Sequence, residues 1–227
     1  MFAKDYRQAA WGKLSGKWGT LAVMMLIFTL IMGAVDSLSA VEPYVLGSVV
    51  SVATLLLLGP FDLSWAHASQ NVQQGKNVEI ADLFFGFKNF VQAFVLELVN
   101  GILVFLWSLL LIIPGIIKML AYSMSFFILN ENPQISFSDA RKQSIEMMDG
   151  YKWRLFCLYF SFIGWILLCL LTFGILFLWI GPYMQVAKAE FYANLKAEKG
   201  IKDNSSEKEE KQIQNQEQQN KQTEEEK

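Results

Sequence analysis

Histidine, cysteine and charge are what this sequence most lacks. His67 is the only histidine among 227 residues, which excludes a His-based metal cluster. Cys157 and Cys169 fall in one apolar run; twelve residues apart on a helix, they stand about 18 Å from each other. That is too far to bond, and they read as small buried hydrophobes. Charged residues are almost missing from residues 21–35, 45–58, 102–117 and 155–180. No Gly-rich loop ending in Lys-Ser/Thr is present, so a nucleotide-driven motor is not expected. There is also no His-Glu-x-x-His and no Gly-x-Ser-x-Gly, the signatures of intramembrane proteolysis. The polar loops are too short and too mixed in sign for a nucleic-acid face. No cofactor, metal or nucleic acid is expected, and no enzyme. Nor does a small-x-small site follow the first apolar run, which reads as an uncleaved span rather than a signal peptide.

What is there is apolar: 53% of residues are hydrophobic, with a mean hydropathy of +0.31. A membrane-spanning helix needs about 20 mostly apolar residues to cross roughly 30 Å of hydrocarbon. The pattern predicts six spans, at 18–35, 44–65, 90–112, 115–130, 153–172 and 174–195. The fold class is an all-α membrane protein, six transmembrane helices arranged as three tandem hairpins with interfacial amphipathic helices. The hairpin tips fall at residues 36–43, at Pro114-Gly115 and at Thr172-Phe173-Gly174, where Pro and Gly suit tight helix-to-helix turns. Span four is the shortest and contains Lys118, so a re-entrant or steeply tilted segment is an alternative there.

A Gly-Lys-aromatic cluster precedes each hairpin: Gly16-Lys17-Trp18, Gly86-Phe87-Lys88-Asn89-Phe90 and Gly150-Tyr151-Lys152-Trp153. Asp5-Tyr6-Arg7 lies eleven residues before Gly16, and Asp139-Ala140-Arg141 eleven before Gly150. This internal repeat divides a membrane domain, 1–199, into units of about 2–70, 77–133 and 135–199. Residues 200–227 hold eight acids and five lysines with two isoleucines as their only apolar residues, and read as a disordered, hydrated tail. Counting Lys188 with that side, eighteen of the nineteen Lys and Arg fall on one face of this topology. Basic loops stay cytoplasmic, so both termini are expected inside a multi-pass protein. Lys118 is the exception and is expected to snorkel to the outer headgroups. Trp11, Trp18, Trp65 and Trp153 mark the expected inner boundary.

Two short polar segments flank these spans. Phe2, Tyr6, Ala9/Ala10 and Leu14 share one helical face; Phe137, Ala140, Ser144 and Met148 share another, with Ser136 as its N-cap. Each is either a helix lying among the headgroups or a linker packed on the inner end of the bundle. Gly59-Pro60 and Gly181-Pro182 fall inside spans two and six and predict kinks, because each proline leaves a carbonyl four residues back without its partner. A kink is either a hinge with a small polar site or a packing bend.

The blocks Asp82-Leu-Phe-Phe-Gly-Phe-Lys-Asn-Phe90, Leu106-Trp-Ser-Leu-Leu-Leu-Ile-Ile-Pro-Gly-Ile-Ile-Lys118 and Ser161-Phe-Ile-Gly-Trp165 resemble a family of bacterial integral-membrane proteins, DUF975. Tyr122-Ser123, Asn132-Pro133 and Leu178-Trp-Ile-Gly-Pro-Tyr183 fit the same pattern, and the likeness covers about residues 4–195. Members of that family occur mostly in Gram-positive bacteria, so the resemblance implies the bacterial plasma membrane. It brings no activity and no catalytic residues.

The candidate site consists of polar residues within apolar runs: Glu97 and Asn100, one helical turn apart in span three, and Asp62 just past Gly59-Pro60. An ionisable group in lipid costs several kcal/mol unless paired or hydrated, which makes these residues candidates for function. Glu97 either couples an ion or proton, or snorkels inward or is held by Asn100. Two functions follow. One is a non-enzymatic protein of envelope or self-protection type, binding membrane lipids, a peptide or a membrane-protein partner. The other is a small transporter or channel using the intramembrane carboxylates.

Overall fold

The computed structural model describes residues 2–39 and 46–201. The expected tip at 36–43 lies partly outside these residues, and the expected tail almost wholly so. Among the described residues the chain is helical throughout, without strands. The order is α1 (Ala3–Leu14), α2 (Trp18–Ser39), α3 (Leu46–Gln73), a 3-10 segment (Ile80–Asn89), α4 (Phe90–Leu110), α5 (Ile112–Tyr122), α6 (Ser125–Glu131), α7 (Phe137–Met147), α8 (Lys152–Phe160), α9 (Ile163–Leu171) and α10 (Phe177–Glu198). Four helical stretches there are long and apolar enough to cross a membrane: Trp18–Val35, Ile80–Leu110, Ile112–Glu131 and Lys152–Leu171. They overlap the expected spans one, three, four and five. Apolar side chains cover their outer faces, among them Leu109, Leu110, Ile112, Ile113, Leu170 and Leu171. So large an exposed apolar surface suits lipid rather than water.

α10 differs from those four. It carries Gln185, Lys188, Glu190 and Lys196, yet buries twelve residues from Ile180 to Lys196 and packs on α1, α2 and α3. It is a central post: Glu190 and Lys196 pair with Lys13 and Glu131, while Gln185 and Lys188 line a cavity.

Two expected spans are broken. Span four is α5 followed by α6, separated at Ser123 and Met124. Ser144 of α7 closes that break: its Oγ donates to the Ala121 carbonyl at 2.7 Å and accepts from the Met124 N–H at 3.2 Å. Span five is α8 followed by α9, and the Arg7 guanidinium of α1 donates to the Ser161 carbonyl at their junction at 2.9 Å. In both places a polar side chain from an amphipathic helix takes up backbone groups that a continuous helix would have satisfied itself.

The second tip lies three residues earlier than the Pro-Gly pair suggested. Leu111 is extended (φ −158°, ψ 138°), and Pro114-Gly115 belong to the first turn of α5, where a proline loses no helical hydrogen bond. Gly115 is needed for packing: a Cβ there would lie 2.0 Å from Ser108 Oγ on α4. The Lys118 ammonium of α5 sits 5.0 Å from the centre of the Trp107 ring of α4. At the third tip, Phe173 (φ 50°) and Gly174 (φ 83°) turn the chain, and the Gly174 N–H donates to Cys169 O at 2.8 Å.

Both amphipathic segments are packed linkers. α1 buries Tyr6, Ala10 and Leu14 against α10 and α8, and Lys13 pairs with Glu190 at 2.5 Å. α7 buries Ala140, Ser144 and Met147, and Ser136 caps it, its Oγ accepting from the N–H groups of Ser138 and Asp139. Gly16 and Gly150 take the same left-handed turn, φ 79° and 80°, at the ends of these two helices. Gly86 does not; it lies in the 3-10 segment. Even so, Asp82 serves that segment as Asp5 serves α1, each carboxylate accepting the backbone N–H three residues before it.

The tryptophans divide. Trp11 and Trp18 meet edge to face at 5.0 Å beside Tyr183, and Trp153 is exposed. Trp65 is instead buried in the core, because the stretch of α3 around it is covered on nearly every side.

Candidate functional site

The crossing of α3 and α4 begins at a glycine. A Cβ on Gly59 would lie 2.4 Å from the Ala93 carbonyl oxygen, so only glycine lets the two backbones touch. The 3-10 segment uses the same device one residue on: a Cβ on Gly86 would come within 1.9 Å of Pro60 O. Ser64 ties that contact, donating to Pro60 O at 2.9 Å and accepting the Gly86 N–H at 2.8 Å. Gly59 and Pro60 thus sit where three elements press together. Gly181, beside Pro182 in α10, faces Met25 of α2, whose Cε would lie 2.9 Å from an added Cβ.

Asp62 lies one turn past Gly59 on α3, and Glu97 one turn past Ala93 on α4, so the crossing carries one acid on each helix. Both line a single cavity of about 640 Å³. Asn100 lines it too, which brings together all three polar residues singled out from the sequence. Neither carboxylate makes a hydrogen bond or a close ion pair with another described residue. No hydrogen bond joins Glu97 to Asn100, and the buried Asn100 Oδ1 has no partner of any kind.

Sequence reasoning missed the rest of this cavity. Lys188 was counted with the cytoplasmic lysines, but α10 carries it into the cavity wall. Its Nζ stands 5.3 Å from the centre of the Phe127 ring and is close enough to Asp62 and Glu97 for their charges to interact. Its position inside the expected sixth span was the signal available. The remaining wall is mostly aromatic and aliphatic: Tyr122 at the end of α5, Phe126 and Phe127 of α6, Phe156 and Tyr159 of α8. No spacing in the sequence announces that convergence, because the side chains come from three separate helices. A mostly apolar cavity with a few convergent polar groups is the usual form of a small-ligand site, and this volume falls within the usual range.

A second polar cluster ties the ends of α3, α6 and α10. Lys196 Nζ meets both oxygens of Glu131 at 2.8 and 2.9 Å, Tyr192 donates to the same carboxylate at 3.0 Å, and Gln70 donates to it at 3.2 Å. Asn130 links Gln70 to His67, whose Nδ1 lies 3.1 Å from Asn130 Oδ1. On the other side of the ring, His67 Nε2 lies 3.0 Å from Asn71 Nδ2. That arrangement suits a neutral imidazole protonated on Nδ1. The ring is stacked flat on Phe85 at 3.6 Å, and Asp82 stands 3.9 Å from Nε2. Burial holds the His67 pKa below the ordinary histidine value, with Asp82 pulling the other way. Every polar group of the cluster has a partner, so its role is to fasten helices.

No curated protein and no solved structure matches the chain. A family model described as a protein of unknown function, DUF975, matches residues 1–121 and 108–199. Those two stretches cover the whole helical bundle and its cavity, and the chain belongs to the DUF975 family.

Proposed function

We propose that this chain is a six-span, non-enzymatic protein of the bacterial plasma membrane, with both termini in the cytoplasm, that holds an apolar-bodied ligand in the cavity between α3, α4, α5, α6, α8 and α10. The observation that carries this reading is the convergence of Asp62, Glu97 and Asn100 on one cavity with predominantly apolar walls. α3 and α10 supply the second and sixth spans, their polar residues turned to protein neighbours rather than lipid. Membrane lipids surround the bundle, and the ligand is lipid-like or peptide-like, as an envelope or self-protection role requires. Gly101 offers the test. It lines the cavity, and a Cβ there meets nothing within 4 Å, so Gly101→Phe adds bulk at the cavity wall without a backbone clash. Protein in phosphatidylcholine nanodiscs is expected to bind dansyl probes saturably, with a blue-shifted emission that Gly101→Phe abolishes. Equal emission from both proteins would mean simple partition into lipid and would sink the reading.

Two carboxylates on one cavity also support a second reading, a small transporter coupled to protons or ions. Flux into proteoliposomes separates the two, since a binding protein dissipates no gradient.

A further inference from the structure

The charge and hydrogen-bonding character of the cavity is lopsided. Asp62, Glu97 and Asn100 Oδ1 all present acceptors, and the Asn100 amide oxygen is more than nine-tenths buried with its residue and unpartnered. A buried acceptor without a donor is costly, so this oxygen lacks something that the protein does not supply. Among the described residues Lys188 is the one cation lining the cavity, so two carboxyl groups face a single ammonium. One carboxyl group and at least one acceptor are left without a cationic partner, beside the rings of Phe126, Phe156, Tyr122 and Tyr159. Aromatic faces attract cations and also accept an apolar body.

Building on the binding reading above, we infer that the ligand is a small amphipathic organic cation, a protonated amine or guanidinium on an apolar body. Its N–H groups donate to Asn100 Oδ1 and to the carboxylate that Lys188 leaves unbalanced, while its body lies against the aromatic wall. A neutral ligand leaves the second carboxyl group without a counter-charge. An anionic one sets its own charge beside two acids. An inorganic ion fills little of 640 Å³ and leaves the aromatic wall without a partner.

The test uses three probes with one dansyl body: dansylcadaverine, which carries an ammonium; its N-acetyl derivative, which is neutral; and dansyl-aminohexanoate, an anion. Full-length protein in zwitterionic phosphatidylcholine nanodiscs is titrated with each, against empty nanodiscs and against Gly101→Phe. Dansylcadaverine is expected to bind at least about tenfold more tightly than the neutral probe, as a charge-assisted hydrogen bond provides. The anion is expected to bind most weakly. Asp62→Asn should shrink the ratio between the cation's and the neutral probe's affinities, and an unchanged ratio would count against the inference. If all three probes bind alike and Gly101→Phe still abolishes binding, the cavity is a binding site but the cation inference is wrong. If Gly101→Phe changes nothing for any probe, the binding reading falls as well. The comparison among probes needs only the wild-type protein, so a variant that fails to fold leaves the inference exposed to refutation.

Discussion

Lys196 of α10 and Glu131 of α6 form an enclosed ion pair, the ammonium lying 2.8 and 2.9 Å from the two carboxylate oxygens. Gln70 and Tyr192 complete the coordination of Glu131, so three elements depend on one carboxylate. Removing one partner of such a pair strands the other. Glu131→Gln is expected to cost about 3 kcal/mol, read as a lowered thermal midpoint in maltoside detergent. Adding Lys196→Met should recover part of the loss, because the stranded ammonium is then gone. An unchanged midpoint for the single variant would show that the pair contributes nothing.

Glycine substitutions should divide sharply by location. Gly86→Ala drives a methyl onto Pro60 O and Gly115→Ala drives one onto Ser108, and each is expected to destabilise by about 1–3 kcal/mol or more. Gly19, inside α2, has open space around it, and Gly19→Ala is expected to stabilise by up to about 1 kcal/mol through helix propensity. A tolerated Gly86→Ala would mean that the 3-10 segment does not press on α3 as described.

His67 gives the protein a pH dependence whose sign is determined. Its pKa is lower folded than unfolded, so between the folded value and about 6.5 the unfolded chain binds more protons. Stability therefore falls as pH drops through that window and is full above it. Thermal midpoints measured from pH 7.5 to pH 5.5 should decline for the wild type and less steeply for His67→Gln, which carries no titrating group. Equal slopes would place the titration elsewhere.

Topology is open to chemical labelling. Cysteine introduced at the exposed Phe173, at the third hairpin tip, is expected to react with an impermeant maleimide from outside intact cells, in a background lacking Cys157 and Cys169. Cysteine at Ser15, between α1 and α2, should react only after permeabilisation. The reverse pattern would invert the protein.

Glu97→Gln should leave abundance and thermal midpoint unchanged or raised, since the amide removes an ionisable group that no hydrogen bond or ion pair holds. Proteoliposomes of either protein should show no proton flux. A flux carried by the wild type and lost in Glu97→Gln would put the transporter reading first.

Much of the fold was legible because it is local. The expected spans one, three, four and five overlap the four long apolar helical stretches, Ser136 announced its cap, and the polar interruptions at Asp62, Glu97 and Asn100 marked the cavity. What failed was tertiary. Pro114 and Gly115 looked like a turn because both residues favour turns, but they serve the start of a helix and a close contact. The breaks within spans four and five depend on Ser144 and Arg7, which arrive from distant helices. Lys188 looked like part of a basic flank because no periodicity shows that α10 is the bundle's central post.

The docking of α1 on α10 also sets a schedule. Tyr6 finds its hydrogen-bond partner in Asn194, 188 residues later. At about 5–20 residues per second, a nascent chain waits roughly 10–40 s before that partner leaves the ribosome. During the wait the stripe of Tyr6, Ala10 and Leu14 lacks α10, the helix it packs on most. The clasp of α1 on α10 therefore closes only after nearly the whole bundle has been made, so the first helix of the chain is among the last to find its place.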